Sequence, residues 1–190
     1  PGTVTVKISE KVSDVKTLDY DLLNEDKLDK KLSIKSVELD RNEVIVKGSK
    51  ETLDKVAKVK ALIDLEAAKL TEKGTFTVDS IILVAYGSDG KKIDNVEIVP
   101  AKISASVTVD SYYVELPVKV VTTGTINSGY ALSNVTSSVT KVGVYGDETE
   151  IKKLSYKEKK IDINKLNSDK KFNVTLTKPA GVRYLSETNT

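Results

Sequence analysis

The stretch "VKGSKETLDKVAKVKALIDL", residues 46–65, decides how the rest of the chain is read. The β-branched run from Val44 to Lys47 reads as a strand and Gly48 as a turn. Ser49 or Gly48 caps a short helix that reaches about Val59. On that helix Leu53 and Val56 lie three apart and share a face, with Val59 extending the stripe and Lys50, Lys55 and Lys58 outside it. A helix of about three turns needs tertiary packing to persist. "ALIDL" then reads as a strand, with Ile63 and Leu65 on one side and Asp64 on the other. A strand, a glycine and a basic helix can also describe a phosphate-binding device, so the question is whether chemistry or architecture placed them together.

An internal repeat answers in favour of architecture. The pattern recurs 98 positions later in "VGVYGDETEIKKLSYKEKKIDI", residues 142–163. Gly48 meets Gly146, Leu53 meets Ile151, Val56 meets Leu154, and Ile63-Asp64-Leu65 meets Ile161-Asp162-Ile163. Backwards in the same register, Val44 meets Val142, Val37 meets Val135, Ile34 meets Leu132, and Leu32 meets Tyr130. Leu18, Tyr20 and Leu22, alternating with polar residues as a half-buried strand does, meet Leu116, Val118 and Val120. In the second copy Asp147 and Glu150 form a D-x-x-E capping box, and Pro117 predicts an edge or bulged strand.

Beyond Leu65 the offset becomes 96, setting Phe76 and Val78 on Phe172 and Val174. The first copy continues through a hairpin, "IILVAYGSDGKKIDNVEIVP", with its bend at Gly87-Ser88-Asp89-Gly90, into the closing strand "PAKISASVTV". The second copy shortens the hairpin to "TLTKPAGVRYLS" and ends before a closing strand. At the other end "PGTVTVKI", residues 1–8, resembles "PAKISASVTV" with Pro1 set on Pro100. The expected division is residues 1–11 as the closing strand of a preceding repeat or an N-terminal flank, 12–110 as one repeat, and 111–190 as a second, C-terminally truncated repeat. The expected fold is mainly β with one short helix per unit, in tandem β-rich domains. The lack of methionine predicts a piece excised or processed from a longer array.

Composition narrows the function. The 190 residues hold 30 basic and 28 acidic side chains, a net charge of +2, without the clustered positive excess of a nucleic-acid binder. Aromatics are 5% of the chain, which suits thin cores of β-branched residues. Without cysteine there is no disulfide, thiolate nucleophile or thiolate metal site, and without histidine the usual general base and zinc ligand are missing. A cysteine-free chain suits the cytosol and the outer face of a Gram-positive cell alike. No apolar run approaches the roughly 20 residues that cross a bilayer, so an anchor, if the parent has one, lies outside this chain.

Four constellations invite chemistry. The single Gly48 lacks the GxxxxGK[ST] of a phosphate loop, and Asp147 and Glu148 of the second copy would repel an anion. The lysines of both copies are interspersed with Glu51, Asp54 and Glu158 and joined by no arginine, as on a solvated face; attraction to an anionic surface is the competing reading. The carboxylates Asp14, Asp19, Asp21, Glu25, Asp26 and Asp29 lack the spacing of a calcium loop, and Asp89 and Asp94 belong to turn chemistry. Ser9 and Ser155 stand two residues before a lysine, the wrong spacing for a Ser-Lys catalyst. Catalytic, cofactor-binding and metal-binding residues are therefore expected to be none, and no cofactor is expected.

"VIVKGSKETLDKVAKVKALIDL" followed by "GTFTVDSIILVAYGSDGKKIDNVEIVPAKISASVTV" resembles a repeat of the YbbR family. Val59, Ile63, Asp64 and Leu65 match its V-x-x-x-I-D-L strand. Asn95-Val96-Glu97-Ile98-Val99-Pro100 matches its N-V-x-V-x-P segment, and Gly129-Tyr130 its G-Y. The resemblance implies tandem β-rich repeats carried outside the bacterial cytoplasmic membrane by an N-terminal membrane segment. It also implies a regulatory partnership, through the full-length protein, with a membrane-bound diadenylate cyclase that makes cyclic di-AMP. It supplies no catalytic residue. The leading expectation is a non-enzymatic extracytoplasmic region of a cyclase regulator, responsive to an envelope ligand or protein. The alternative is a cell-wall or envelope-binding scaffold without a signalling role. Nucleic-acid binding, suggested by the family's likeness to a ribosomal-protein β-domain, conflicts with the near-neutral charge.

Overall fold

The computed structural model describes residues 2–188; Pro1, matched above to Pro100, lies outside them with the last two residues. The chain divides into two compact units, one of residues 1–28 and 34–109, the other of residues 29–33 and 110–190.

Unit 1 is built on the long strand β1 (Lys11–Leu23), which changes partners midway. Its first half runs antiparallel to β3 (Glu43–Ser49), pairing Lys11 with Ser49 through Thr17 with Glu43. Its second half runs parallel to β4 (Val56–Asp64), pairing Leu18 with Val59 through Leu23 with Asp64. With β2 (Ser33–Leu39), β5 (Gly74–Gly87), β7 (Glu97–Val99) and β8 (Lys102–Asp110), the sheet order is β2-β8-β5-β4-β1-β3-β7, and β6 (Lys92–Ile93) pairs with β5. The core lies along the inward positions of these strands: Val44, Val46, Val59, Ala61, Ile63, Leu83, Ile103, Ala105 and Val107 are buried.

Unit 2 repeats the centre of this design. Strand β9 (Tyr112–Thr123) runs antiparallel to β10 (Lys141–Gly146) and then parallel to β11 (Lys157–Asp162), while β12 (Val182–Thr188) pairs with β10 as β7 does with β3. Its sheet has four strands, ordered β11-β9-β10-β12. Among the described residues no strand stands at 124–140 or 163–181. The core is correspondingly small: Leu116, Val142, Val144, Ile151 and Val182, packed by Tyr112, Val114 and Leu185.

The mainly β class holds, while several local expectations change. The helix after Ser49 is one turn, α1 (Lys50–Leu53), and Val56 to Val59 already belong to β4. A bulge between Val56 and Lys58 places the two valines on the same side of the strand at helix-like spacing. Leu65 opens a second single turn, α2 (Leu65–Ala68), instead of closing a strand. The hairpin partner of β5 is β6, and the "VEIVP" strand crosses to β3. Pro117 is not on an edge. Strand β9 is central, and the proline stands opposite Lys141 at the last antiparallel pairing before β9 turns from β10 to β11. One residue on, the Val118 N–H bonds the Thr140 carbonyl, so the missing N–H of the proline is not needed.

The repeat register also shifts. Glu43 pairs with Thr17, whereas Lys141, 98 positions on, pairs with Pro117. Strand β9 has therefore slipped by two residues relative to β1. A two-residue slip keeps every side chain on its face, so the hydrophobic pattern tolerates it.

Candidate functional site

The two signature glycines serve close approach and do not turn the chain. Gly48 is the penultimate residue of β3 and Gly146 the last of β10, and neither is among the positive-φ residues. A Cβ on Gly48 would meet the Asn95 carbonyl oxygen at 3.3 Å and Val96 at 3.4 Å; on Gly146 it would meet the Gly181 carbonyl oxygen at 2.2 Å. Each glycine lets the segment leading into β7 or β12 cross directly over it. The glycine and the Asn95-Val96 segment are thus two halves of one contact.

The turn after each glycine is capped internally. The Ser49 Oγ accepts from the Thr52 N–H at 3.2 Å. The Asp147 Oδ1 accepts from the Glu150 N–H at 3.0 Å, at the start of α3 (Glu148–Ile151). The capping box is half formed: Glu150 pairs with Lys153 at 2.6 Å, and the Asp147 N–H donates to the Gly181 carbonyl at 3.0 Å. One-turn helices already capped by their own side chains offer no phosphate cradle.

Several of the lysines are paired locally. Lys50 meets Asp54 at 3.3 Å, Lys55 meets Glu51 at 3.3 Å, Lys60 meets Asp21 at 2.7 Å, and Lys152 meets Glu148 at 2.6 Å. Hydrogen bonds from Lys7 and Lys55 hold the Glu51 carboxyl below its ordinary range, and the Asp21 carboxylate raises Lys60. Lys119 lies 4.1 Å from the Tyr156 ring centroid. Pairing of this kind weakens the positive field that these lysines present to a polyanion.

The carboxylates noted in sequence are dispersed. Asp14 pairs with Lys16 at 2.9 Å, Asp29 accepts from the Lys31 N–H at 2.8 Å, and Glu25 and Asp26 open a single 3-10 turn. Asp89 accepts from the Lys91 N–H at 3.0 Å and Asp94 meets Lys92 at 2.8 Å. Asp64 caps α2 through the Glu66 and Ala67 N–H groups. The Asn24 amide and these N–H groups hold its carboxyl below the usual range. Among the described residues no group of three or more acidic, histidine or cysteine side chains is placed to hold a metal ion. Nor, among them, does any hydrogen bond join Ser9 or Ser155 to a lysine.

What the units offer instead is surface. In unit 1, Val15 and Ile45 are directly opposed on β1 and β3 and both are exposed. An open groove of about 510 Å³ runs beside Leu18, Tyr20, Val37 and Leu39, and its Arg41 guanidinium is paired with Asp40 at 3.3 Å. In unit 2, Tyr113, Tyr145 and Tyr184 stand opposite one another on β9, β10 and β12. Successive ring centroids are 4.7 and 6.0 Å apart. Gly143 leaves room for the Tyr113 ring, and Lys31 and Lys30 lie 5.7 and 6.0 Å from the Tyr145 and Tyr184 centroids. Burial and the neighbouring Glu115 raise the Tyr113 hydroxyl pKa. Sequence reading missed this ladder because cross-strand contact depends on the slipped register of β9. The glycine at Gly143, within a strand, is the one local signal of it.

Comparison with known proteins agrees with this picture of a repeated scaffold. The family described as YbbR-like protein matches residues 17–109 and again 116–188. The chain is 28% identical over 187 residues to the CdaA regulatory protein CdaR of Bacillus subtilis (strain 168), covering 98% of this chain and 38% of that protein. The crystal structure of a YbbR-like protein from Streptococcus pneumoniae TIGR4 is similar with a TM-score of 0.47 and 21% identity, over 56% of this chain and 51% of that one. A solution structure from Streptococcus thermophilus is similar with a TM-score of 0.37 and 24% identity, over 56% of this chain and 92% of that one. With its model matched across both repeats, the chain belongs to the YbbR-like protein family.

Proposed function

We propose that these two repeats are a non-enzymatic extracytoplasmic part of a membrane-anchored regulator of diadenylate cyclase, acting on cyclic di-AMP synthesis by protein–protein contact. The observation that carries the reading is the match of nearly the whole chain to the CdaA regulatory protein CdaR, in one alignment that spans both repeats. The chain spans about 38% of the length of that relative.

The physical chemistry is in keeping with a contact role. Charged groups are spent on local pairs, while apolar side chains such as Val15 and Ile45 remain at the surface. Regulation by contact requires the repeats to favour one state of the cyclase over another, since equal affinity for both shifts nothing. The test is removal of residues 12–188 from the full-length protein in its host. Cyclic di-AMP levels are expected to change under at least one growth condition. Levels unchanged across conditions, with the shortened protein still in the membrane, refute the proposal.

A further inference from the structure

Half of one edge of β1 is open. Strand β1 lies between β4 and β3 in the sheet, so the two partners flank opposite edges. On the β3 edge the pairing runs from Lys11 to Thr17, and the Leu18 N–H still bonds the Asn42 carbonyl there at 2.8 Å. Beyond it no strand among the described residues pairs with that edge, while residues 18–23 pair with β4 on the other. Main-chain groups alternate between the two edges of a strand, so Tyr20 directs its own to the same side as Leu18. The Tyr20 N–H is met there by a side chain, donating to the Asp19 Oδ1 at 2.8 Å. Within a 13-residue strand, an N–H that finds a neighbouring carboxylate in place of a strand marks an unpaired edge.

The groove of about 510 Å³ in unit 1 follows that edge. Strand β1 lines it with Leu18, Asp19 and Tyr20 in succession. Successive side chains leave opposite faces of a sheet, so a groove touching all three runs along the edge between the faces. Its other wall is Val37 and Leu39 of β2, the strand that ends the sheet on its far side. The walls are therefore apolar at alternate positions. The exposed rim carries Asp19 and Asp40 against one guanidinium, Arg41, which Asp40 already pairs at 3.3 Å. One negative charge is left in excess.

We propose that this groove binds an extended segment of another protein, added as a strand to β1 at residues 18–22. Its alternate apolar side chains lie against Leu18, Tyr20, Val37 and Leu39, and a lysine or arginine meets the acidic rim. Main-chain bonds to the edge supply affinity, and the places for alternate side chains supply specificity. An incoming carbonyl takes the Tyr20 N–H, which releases the Asp19 carboxylate to pair with the cation of the ligand. An acyl chain in the same groove would cover these main-chain groups without partnering them. The assignment concerns unit 1 alone and does not rest on the regulatory reading.

The test uses two end-capped peptides, Val-Lys-Val-Lys-Val-Lys and Val-Glu-Val-Glu-Val-Glu, titrated into the whole chain up to millimolar concentration. Amide chemical shifts and hydrogen exchange read the binding. The lysine peptide is expected to shift the amides of residues 18–22 and 37–42 and to slow exchange of the Tyr20 N–H. The glutamate peptide should bind more weakly. Asp19→Asn keeps an acceptor for the Tyr20 N–H and should weaken the lysine peptide about two- to five-fold, the value of an exposed ion pair. N-methylation of the lysine peptide at alternate residues, in whichever register faces β1, should weaken it about ten-fold or more. Sedimentation of the chain alone should show a single chain at every concentration. Shifts confined to another sheet edge, equal binding of the two peptides, indifference to N-methylation, or no binding at millimolar peptide overturns the proposal. Self-association that the lysine peptide disperses also overturns it, since the occupant would then be a second copy.

Discussion

Replacing the two signature glycines by alanine separates close approach from turn geometry. At Gly146 a methyl would sit 2.2 Å from the Gly181 carbonyl oxygen. Carbon–oxygen contacts settle near 3.3 Å or more, so the carbonyl must retreat by about 1.1 Å. That carbonyl accepts the Asp147 N–H at 3.0 Å, and the retreat breaks the bond. The lost hydrogen bond costs about 1 kcal/mol and the overpacking about 1–3 kcal/mol. Reduced freedom of the unfolded alanine chain returns roughly 0.4–1 kcal/mol. Unit 2 should therefore lose about 2 kcal/mol, roughly a 30-fold change in its folding equilibrium and a fall in Tm of about 8–16 °C. At Gly48 the nearest atoms are at 3.3 and 3.4 Å. A shift of a few tenths of an ångström suffices there, and the net change should stay within about 0.5 kcal/mol. Tyrosine fluorescence during thermal unfolding reads the difference, since unit 2 holds all the tyrosines except Tyr20 and Tyr86. Equal effects at the two positions, or a neutral Gly146→Ala, would refute the close-approach argument.

Three further outcomes follow from the same structure. Ile63→Ala removes a fully buried side chain of β4 and should destabilise unit 1 by about 2–5 kcal/mol, measured by urea unfolding. Ser49→Ala removes the cap of α1 and should cost about 1 kcal/mol by the same measurement. The Asn24 amide and the N–H groups of α2 hold the Asp64 carboxyl below its ordinary range in the folded chain, so its stabilisation is present above the unfolded-state value and fades as pH falls through the lower folded one. Asp64→Asn should flatten the acid limb of the stability–pH curve there while leaving the curve at neutral pH parallel to that of the parent.

Much of the architecture was legible because period-2 patterns survive the events that sequence cannot show. The slip of β9 by two residues leaves Leu116, Val118 and Val120 in phase, so the repeat is legible in sequence although the slip itself is not. The opposite happened at Val56 and Val59. A bulge gives a strand the three-residue spacing of a helix face, so in sequence the short α1 reads as continuing to Val59. Gly48 read as a turn because glycine at the end of a strand usually is one; its real constraint is a backbone crossing from Asn95, 47 positions away. The pairing of lysines with neighbouring carboxylates was visible in their alternation. The tyrosine ladder, set by cross-strand register, was not.

The regulatory reading is tested most directly by reconstituting the membrane diadenylate cyclase in vesicles with the full-length regulator, intact or lacking residues 12–188. Cyclic di-AMP formed from ATP is then measured with no other cellular component present. Cyclase turnover is expected to differ between the two preparations at equal protein density. Identical turnover, with both regulators inserted and the repeats folded, would contradict it.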